Sequence, residues 1–149
     1  MQEIVLNEGQ SDVIEDLFIN NTCRYAVACA SRGFGKSYLG ATAAMIAVQE
    51  LMELDESVPN KNVALIAPTY QQAVDIYFPL LAYQLGMEDY ADKSSRAAGQ
   101  FWFPRNVNLK LWSYEASERM RGSGQYMVIG DEVTSWKGAG MNFKESWES

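Results

Sequence analysis

Arg24-Tyr-Ala-Val-Ala-Cys-Ala30 runs without a break into Ser31-Arg-Gly-Phe-Gly-Lys-Ser37, and the fold is decided at this junction. The first part is a short apolar run with β character, as a buried strand requires. The second, counted from Ala30, has the spacing G-x-x-x-x-G-K-[ST], with alanine in the place of the first glycine. Behind it comes a helical stretch whose apolar residues Leu39, Ala43, Ile46, Ala47, Leu51 and Leu54 recur mostly at spacings of three and four, with Gln49, Glu50 and Glu53 on the far side. A polyphosphate needs several backbone N–H groups converging on it, and Gly33 and Gly35 carry no Cβ to obstruct the tight turn or the close approach. The helix beginning near Lys36 turns its positive end toward the anion. This pattern predicts a nucleoside triphosphate, ATP, held by Ser31, Arg32, Gly33, Phe34, Gly35, Lys36 and Ser37. Lys36 is expected on the β- and γ-phosphates and the Ser37 hydroxyl on Mg²⁺.

Outward from the loop, the chain alternates strands and helices. Upstream, Asp12–Phe18 reads as a short helix with Asp12 and Glu15 as its capping pair. Downstream, the turn Pro59-Asn-Lys-Asn62 leads to a second buried strand, Val63-Ala-Leu-Ile-Ala67, ended by Pro68. Thr69 then caps a helix that continues to about Leu85, broken or kinked near Pro79 and closed by Gly86. Phe101-Trp-Phe103 and Leu109-Lys-Leu-Trp112, joined through Pro-Arg-Asn-Val-Asn, form a hairpin whose aromatic residues are read as its core. Tyr126-Met-Val-Ile-Gly130 is a third buried strand, and Asp131-Glu132 stands at its carboxyl end. This order is that of an open α/β sheet, which binds its ligands at the carboxyl ends of its strands.

Asp131 is placed to hold Mg²⁺ through the metal's water shell, together with Ser37. Glu132 is placed to orient and deprotonate an attacking water. Two adjacent carboxylates are costly in a dry site unless a divalent cation neutralises them, so the pair itself implies a metal. Arg32, inside the loop, is a second catalytic candidate near the γ-phosphate, and Gln10 a candidate for hydrogen bonding an adenine edge.

Composition narrows the chemistry. The 149 residues amount to a single domain, 48% hydrophobic and 21% charged, with no internal repeat or linker. There is no histidine, so no imidazole base or ligand is available and a general base must be a carboxylate, lysine or tyrosine. Cys23 and Cys29 flank one strand and are expected to stay reduced. A net charge of −7 argues against a surface that coats nucleic acid non-specifically. Between Lys93 and Arg121, however, Lys93, Arg96, Arg105, Lys110, Arg119 and Arg121 outnumber Glu115 and Glu118. No apolar run is long enough to cross a bilayer and the N-terminus carries no secretory signal, so a cytosolic protein is expected.

The loop Ala30-Ser-Arg-Gly-Phe-Gly-Lys-Ser37, with its early arginine and degenerate first glycine, resembles that of the ATPase domain of tailed-phage terminase large subunits. Ile66-Ala-Pro-Thr-Tyr-Gln-Gln-Ala73 is similar to that family's second-strand motif, Arg119-Met-Arg-Gly122 to its Leu-Arg-Gly segment, and Val128-Ile-Gly-Asp-Glu132 to its Walker B strand. Gln10 stands where such proteins often carry an adenine-contacting glutamine. The resemblance implies a RecA/ASCE-like P-loop NTPase, a mostly parallel sheet flanked by helices. It further implies ATP hydrolysis that drives double-stranded viral DNA into a capsid, with Glu132 as catalytic glutamate and Arg32 sensing the γ-phosphate. The implied partners are a portal protein and a small terminase subunit, in a homo-oligomeric ring within the cytoplasm of the infected host cell, with no membrane. Members of that family continue into a coupling motif and a nuclease domain. Neither lies within these residues, so the domain spanning 1–149 is expected to be incomplete at its C-terminus and no nuclease residue is assigned. Superfamily 2 helicases share the loop and the acidic strand, and a non-catalytic nucleotide-binding fragment is a third reading.

Overall fold

The centre of the molecule is three parallel strands, and everything expected of the site depends on where their carboxyl ends lie. The computed structural model describes residues 6–20, 35–54, 57–120 and 124–132. The expected loop strand at 24–30, with both cysteines, and the stretch from Val133 onward lie outside them.

The first helix, α1 (Glu8–Ile14), is fixed by a capping box: the Asn7 side chain accepts from Gln10 N at 2.8 Å, and Gln10 Oε1 accepts from Asn7 N at 2.9 Å. The helix therefore begins earlier than the expected start at Asp12. Asp12 lies within it, because Asn7-Glu-Gly-Gln10 supplies the same reciprocal pairing one turn upstream. A π-helical turn, Glu15–Ile19, continues it.

The second helix, α2 (Lys36–Glu53), corrects the expectation of one apolar stripe. Leu39, Ala41, Thr42, Ala43, Ala44, Met45, Ala47, Val48 and Leu51 are all buried, which covers most of its circumference. Its two sides meet different neighbours. Leu39 and Ala43 join Ile14 of α1, while Ala41, Ala44, Met45, Ala47, Val48 and Leu51 belong to the main core. A helix enclosed in this way loses the polar face that periodicity looks for. Its last carbonyls find cationic partners: Arg105 Nη1 donates to Met52 O at 2.8 Å and the buried Lys61 donates Nζ to Leu54 O at 3.3 Å. Positive charge at a helix C-terminus is the favourable arrangement.

The strand β1 (Asn62–Ala67) leads to the helix α3 (Tyr70–Gln72), capped by Thr69, whose side chain accepts from Gln72 N at 3.2 Å. Two π-helical turns, Ala73–Tyr77 and Leu80–Gln84, extend it to Gly86, which ends it at φ +70°. Pro79 precedes the second of these turns, where its missing N–H removes a helical hydrogen bond.

The remaining strands are β2 (Lys93–Ser95), β3 (Gln100–Phe103), β4 (Val107–Ser113) and β5 (Met127–Gly130), and the sheet order is β2-β3-β4-β1-β5. The expected hairpin is β3–β4, with a tighter connection than the sequence suggested. Phe103 already pairs with Val107, and the turn is Pro104–Asn106, with Arg105 and Asn106 both left-handed. β4 has a second role that the hairpin reading did not contain, since it runs parallel to β1 with Leu65 opposite Leu111. β5 runs parallel to β1 on its other side, with Ile66 opposite Gly130. β2 was not anticipated, because Lys-Ser-Ser carries no apolar alternation and it is an edge strand. The mixed α/β class is the one the sequence pointed to: a parallel centre with an antiparallel edge.

The core lies on one face of this sheet. Val63, Leu65, Ala67, Phe101, Phe103, Val107, Leu109 and Leu111 pack there against α2 and the 70–85 helix, with the Phe78 and Phe101 rings stacked at 4.9 Å. Phe101 and Phe103 are therefore hairpin core as expected. Trp102 and Trp112 are half-buried, and Lys93 and Lys110 lie over their rings.

Candidate functional site

Ala67, Ser113 and Gly130 end the three parallel strands at one edge of the sheet, and two backbone bonds extend that edge: Tyr114 N donates to Ala67 O at 2.9 Å and Asp131 N to Ile66 O at 2.8 Å. The amino-terminal end of α2 lies at the same edge. Its first residues are Lys36, exposed, and Ser37, half-buried.

Gly35 caps α2 in the left-handed conformation at φ +80°. Its carbonyl accepts from Gln10 Nε2 at 2.9 Å, so a buried glutamine of α1 is tied to the start of α2. A Cβ added at Gly35 would stand 2.5 Å from Gln10 Nε2. Both the backbone conformation and the close approach therefore call for glycine here. Gly35→Ala is expected to cost about 1–2 kcal/mol from the left-handed backbone alone. A thermal melt should fall by about 2–4 °C per kcal/mol. An unchanged melt would mean that the start of α2 adopts another conformation.

Asp131 and Ser37 are brought together by a residue that the sequence reading missed. The Tyr77 side chain, from the end of the first π-helical turn, lies close to both Ser37 and Asp131. Tyr77 is only 1% exposed. Burial, above all, pushes its phenol well above the ordinary tyrosine range, and the negative charges of Asp131 and, more weakly, Glu132 add to the effect. The phenol thus holds its proton more firmly than an ordinary tyrosine does. The ring stands beside α2 at Gly40, where an added Cβ would lie 3.9 Å from the Tyr77 hydroxyl and 3.4 Å from Ile129 Cγ2, ordinary contact distances.

Glu132 follows Asp131 and is exposed, with φ +49°. A left-handed residue with a Cβ is uncommon and strained, and such strain concentrates at functional sites.

Of the expected site residues, Gln10, Gly35, Lys36, Ser37, Asp131 and Glu132 are described; Ser31, Arg32, Gly33 and Phe34 lie outside the described residues. The chemistry of the donors suits Mg²⁺. Serine hydroxyl and aspartate carboxylate are hard oxygen ligands, and that cation is commonly held by one or two side chains together with phosphate oxygens and water. Among the described residues no group of three or more His, Cys, Asp or Glu could hold a metal by itself. A cation here therefore depends on the phosphates as well as on the protein.

The basic stretch is partly committed to the fold. Arg96 pairs with Asp75 at 3.2 Å, Arg105 caps α2, and Lys93 and Lys110 cover tryptophan rings. Arg121 lies outside the described residues. No helix among the described residues is long and apolar enough to cross a membrane.

No family model and no curated protein matches this chain. Its fold is similar to that of a solved structure, the ATPase domain of the large terminase of Thermus phage P74-26, with 23% sequence identity and a TM-score of 0.51 over 74% of this chain and 49% of that one. The chain thus spans about half the length of that structure, and at this identity the likeness is one of fold.

Proposed function

We propose that this chain binds ATP with Mg²⁺ at the edge where α2 and β5 meet, and that it is the ATPase part of a motor that packages viral DNA. The observation that carries the nucleotide reading is that Ser37 and Asp131 both lie close to Tyr77, at the edge where Gly35 and Lys36 start α2. The loop sequence, the positive end of an 18-residue helix and a pair of carboxylates converge there, each of which favours a polyphosphate with a divalent cation.

The roles follow from the chemistry of each group. Backbone N–H groups of the loop and the Lys36 ammonium donate to phosphate oxygens, and Arg32 neutralises charge that develops on the transferred phosphoryl group. Ser37 and Asp131 hold Mg²⁺, which when bound offsets the phosphate charge. Glu132 accepts the proton of the attacking water. Gln10, bonded to Gly35 O, reads the adenine edge.

The motor reading rests on the terminase-like segments of the sequence and on the likeness in fold to a phage terminase ATPase domain. It carries the further proposals of double-stranded DNA, a portal protein and a small terminase subunit as partners, a ring of like subunits, and work in the cytoplasm of an infected cell.

The test is an ATP titration of the chain beside a Lys36→Ala variant. Saturable binding that the substitution largely removes is expected, and equal binding by the two chains would overturn the placement of the nucleotide.

A further inference from the structure

We propose that the second face of the sheet, across β2, β3 and β4, is a stacking platform for single-stranded nucleic acid, with Trp102 and Trp112 taking bases and Lys93 and Lys110 the phosphates beside them. No residue of the nucleotide edge takes part, so this inference stands apart from the ATP reading.

The strand register assigns the face. Phe101, Phe103, Leu109 and Leu111 belong to the core, and side chains alternate along a strand, so Trp102, Lys110 and Trp112 stand on the opposite side. Lys93 lies directly across from Trp102, Trp102 across from Asn108, and Gln100 across from Lys110. The helix α2 and the 70–85 helix pack on the core side. Lys93 is exposed, and the other five are half-buried.

Charge sets this face apart from the rest of the molecule. The chain carries a net charge of −7, yet none of the side chains that β1 to β5 place on this side is a carboxylate. Its charges are the two lysines, and neither makes an ion pair with a carboxylate among the described residues. Other cations are taken up by the fold, Arg96 by Asp75, Arg105 by Met52 O and Lys61 by Leu54 O. Lys93 Nζ instead lies 4.9 Å from the centre of the Trp102 ring, and Lys110 Nζ 4.2 Å from that of Trp112.

Those contacts can be exchanged. An ammonium over an exposed indole is held more weakly than a base stacked on one, so a base takes the ring and the displaced ammonium turns to the phosphate next to it. A duplex keeps its base faces against one another and presents only phosphates. In register the two rings are one strand and four residues apart, roughly 14 Å at strand spacings, a separation that suits an extended single strand. Two lysines on an acidic chain are too few to hold a polyanion by charge alone, and the indoles supply the remainder.

The test uses the full chain and a labelled oligo-dT of about 12 nucleotides, within the span that one such platform covers. Fluorescence anisotropy is read across a salt titration, with an oligo-rU, a duplex of the same length and poly-glutamate as comparisons. Saturable binding of both single strands within a few-fold of each other is expected, since stacking and phosphate pairing ignore the sugar. The logarithm of affinity should fall against that of salt with a slope of about −1.4, or about −0.7 for each lysine. Trp102→Ala should weaken binding by about 5- to 150-fold, the weight of one stacked base. Lys93→Ala, at an exposed position, should make the slope shallower by about 0.7 with an unchanged thermal melt, so the proposal stays testable if Trp102→Ala disturbs the fold. No binding of either single strand would overturn the proposal, as would a duplex or poly-glutamate held as tightly through the same residues. Binding that neither substitution alters would overturn it too. Both variants should keep the ATP affinity of the unmodified chain, so loss of this platform leaves the nucleotide reading standing, and failure to bind ATP leaves the platform standing.

Discussion

On the proposed ATPase reading, Glu132→Gln is expected to leave ATP affinity intact and to slow turnover by about 10²–10⁴-fold. That factor is a barrier increase of about 3–5 kcal/mol. The substitution preserves shape and exchanges a carboxylate, which accepts a proton, for an amide, which does not. Few substitutes are at hand, because the chain has no histidine. Tyr77 is close to the site, but burial and the Asp131 carboxylate hold its proton in place. Asp131 is the residue proposed to hold the cation with Ser37. Glu132 by contrast is exposed, at a left-handed position that an ordinary turn would give to glycine or asparagine. Phosphate release followed beside ATP affinity checks this directly. Turnover within a few-fold of the unmodified protein would assign the base to another group.

Lys36→Ala is expected to weaken ATP binding by about 10- to 150-fold, the equivalent of one lost charge-assisted hydrogen bond worth about 1.5–3 kcal/mol. Lys36 opens α2 and is exposed, so its removal leaves the core untouched and the thermal melt should stay where it was. A weakened affinity with an unchanged melt separates loss of a ligand contact from loss of fold. The remaining binding should also depend less steeply on salt, because one positive charge facing the phosphates is gone.

What the sequence makes legible is local. Val63–Ala67 reads as a buried strand and is one, flanked by parallel strands on both sides, whereas Met127–Gly130, expected to be buried, is half-buried and ends the sheet order among the described residues. Gly86 and Thr69 punctuate their helix where turn chemistry says they should. What escaped depends on partners distant along the chain. The periodicity of α2 could not reveal that α1 covers its second side, since a polar face and a face buried by alanines look alike in a narrow stripe count. The parallel pairing of β4 with β1 leaves no trace in a hairpin motif. For the proposed site, Gly35, Lys36, Ser37, Asp131 and Glu132 stand out in the sequence because phosphate and metal chemistry restrict residue type and spacing. Tyr77 was not, because a polar-tipped aromatic among Val74, Phe78 and Leu81 reads as core. Only the fold brings it close to both Ser37 and Asp131, which are 94 positions apart in numbering.

A single cation shared by Ser37 and Asp131 is best tested with Mn²⁺–ATP, whose unpaired electrons broaden the signals of nearby nuclei. With the chain labelled for amide detection, saturating Mn²⁺–ATP is expected to broaden the backbone amides of Ser37 and Asp131 together, and Mg²⁺–ATP to leave both sharp. Broadening of one without the other, with nucleotide bound, would place the metal elsewhere and contradict a shared site.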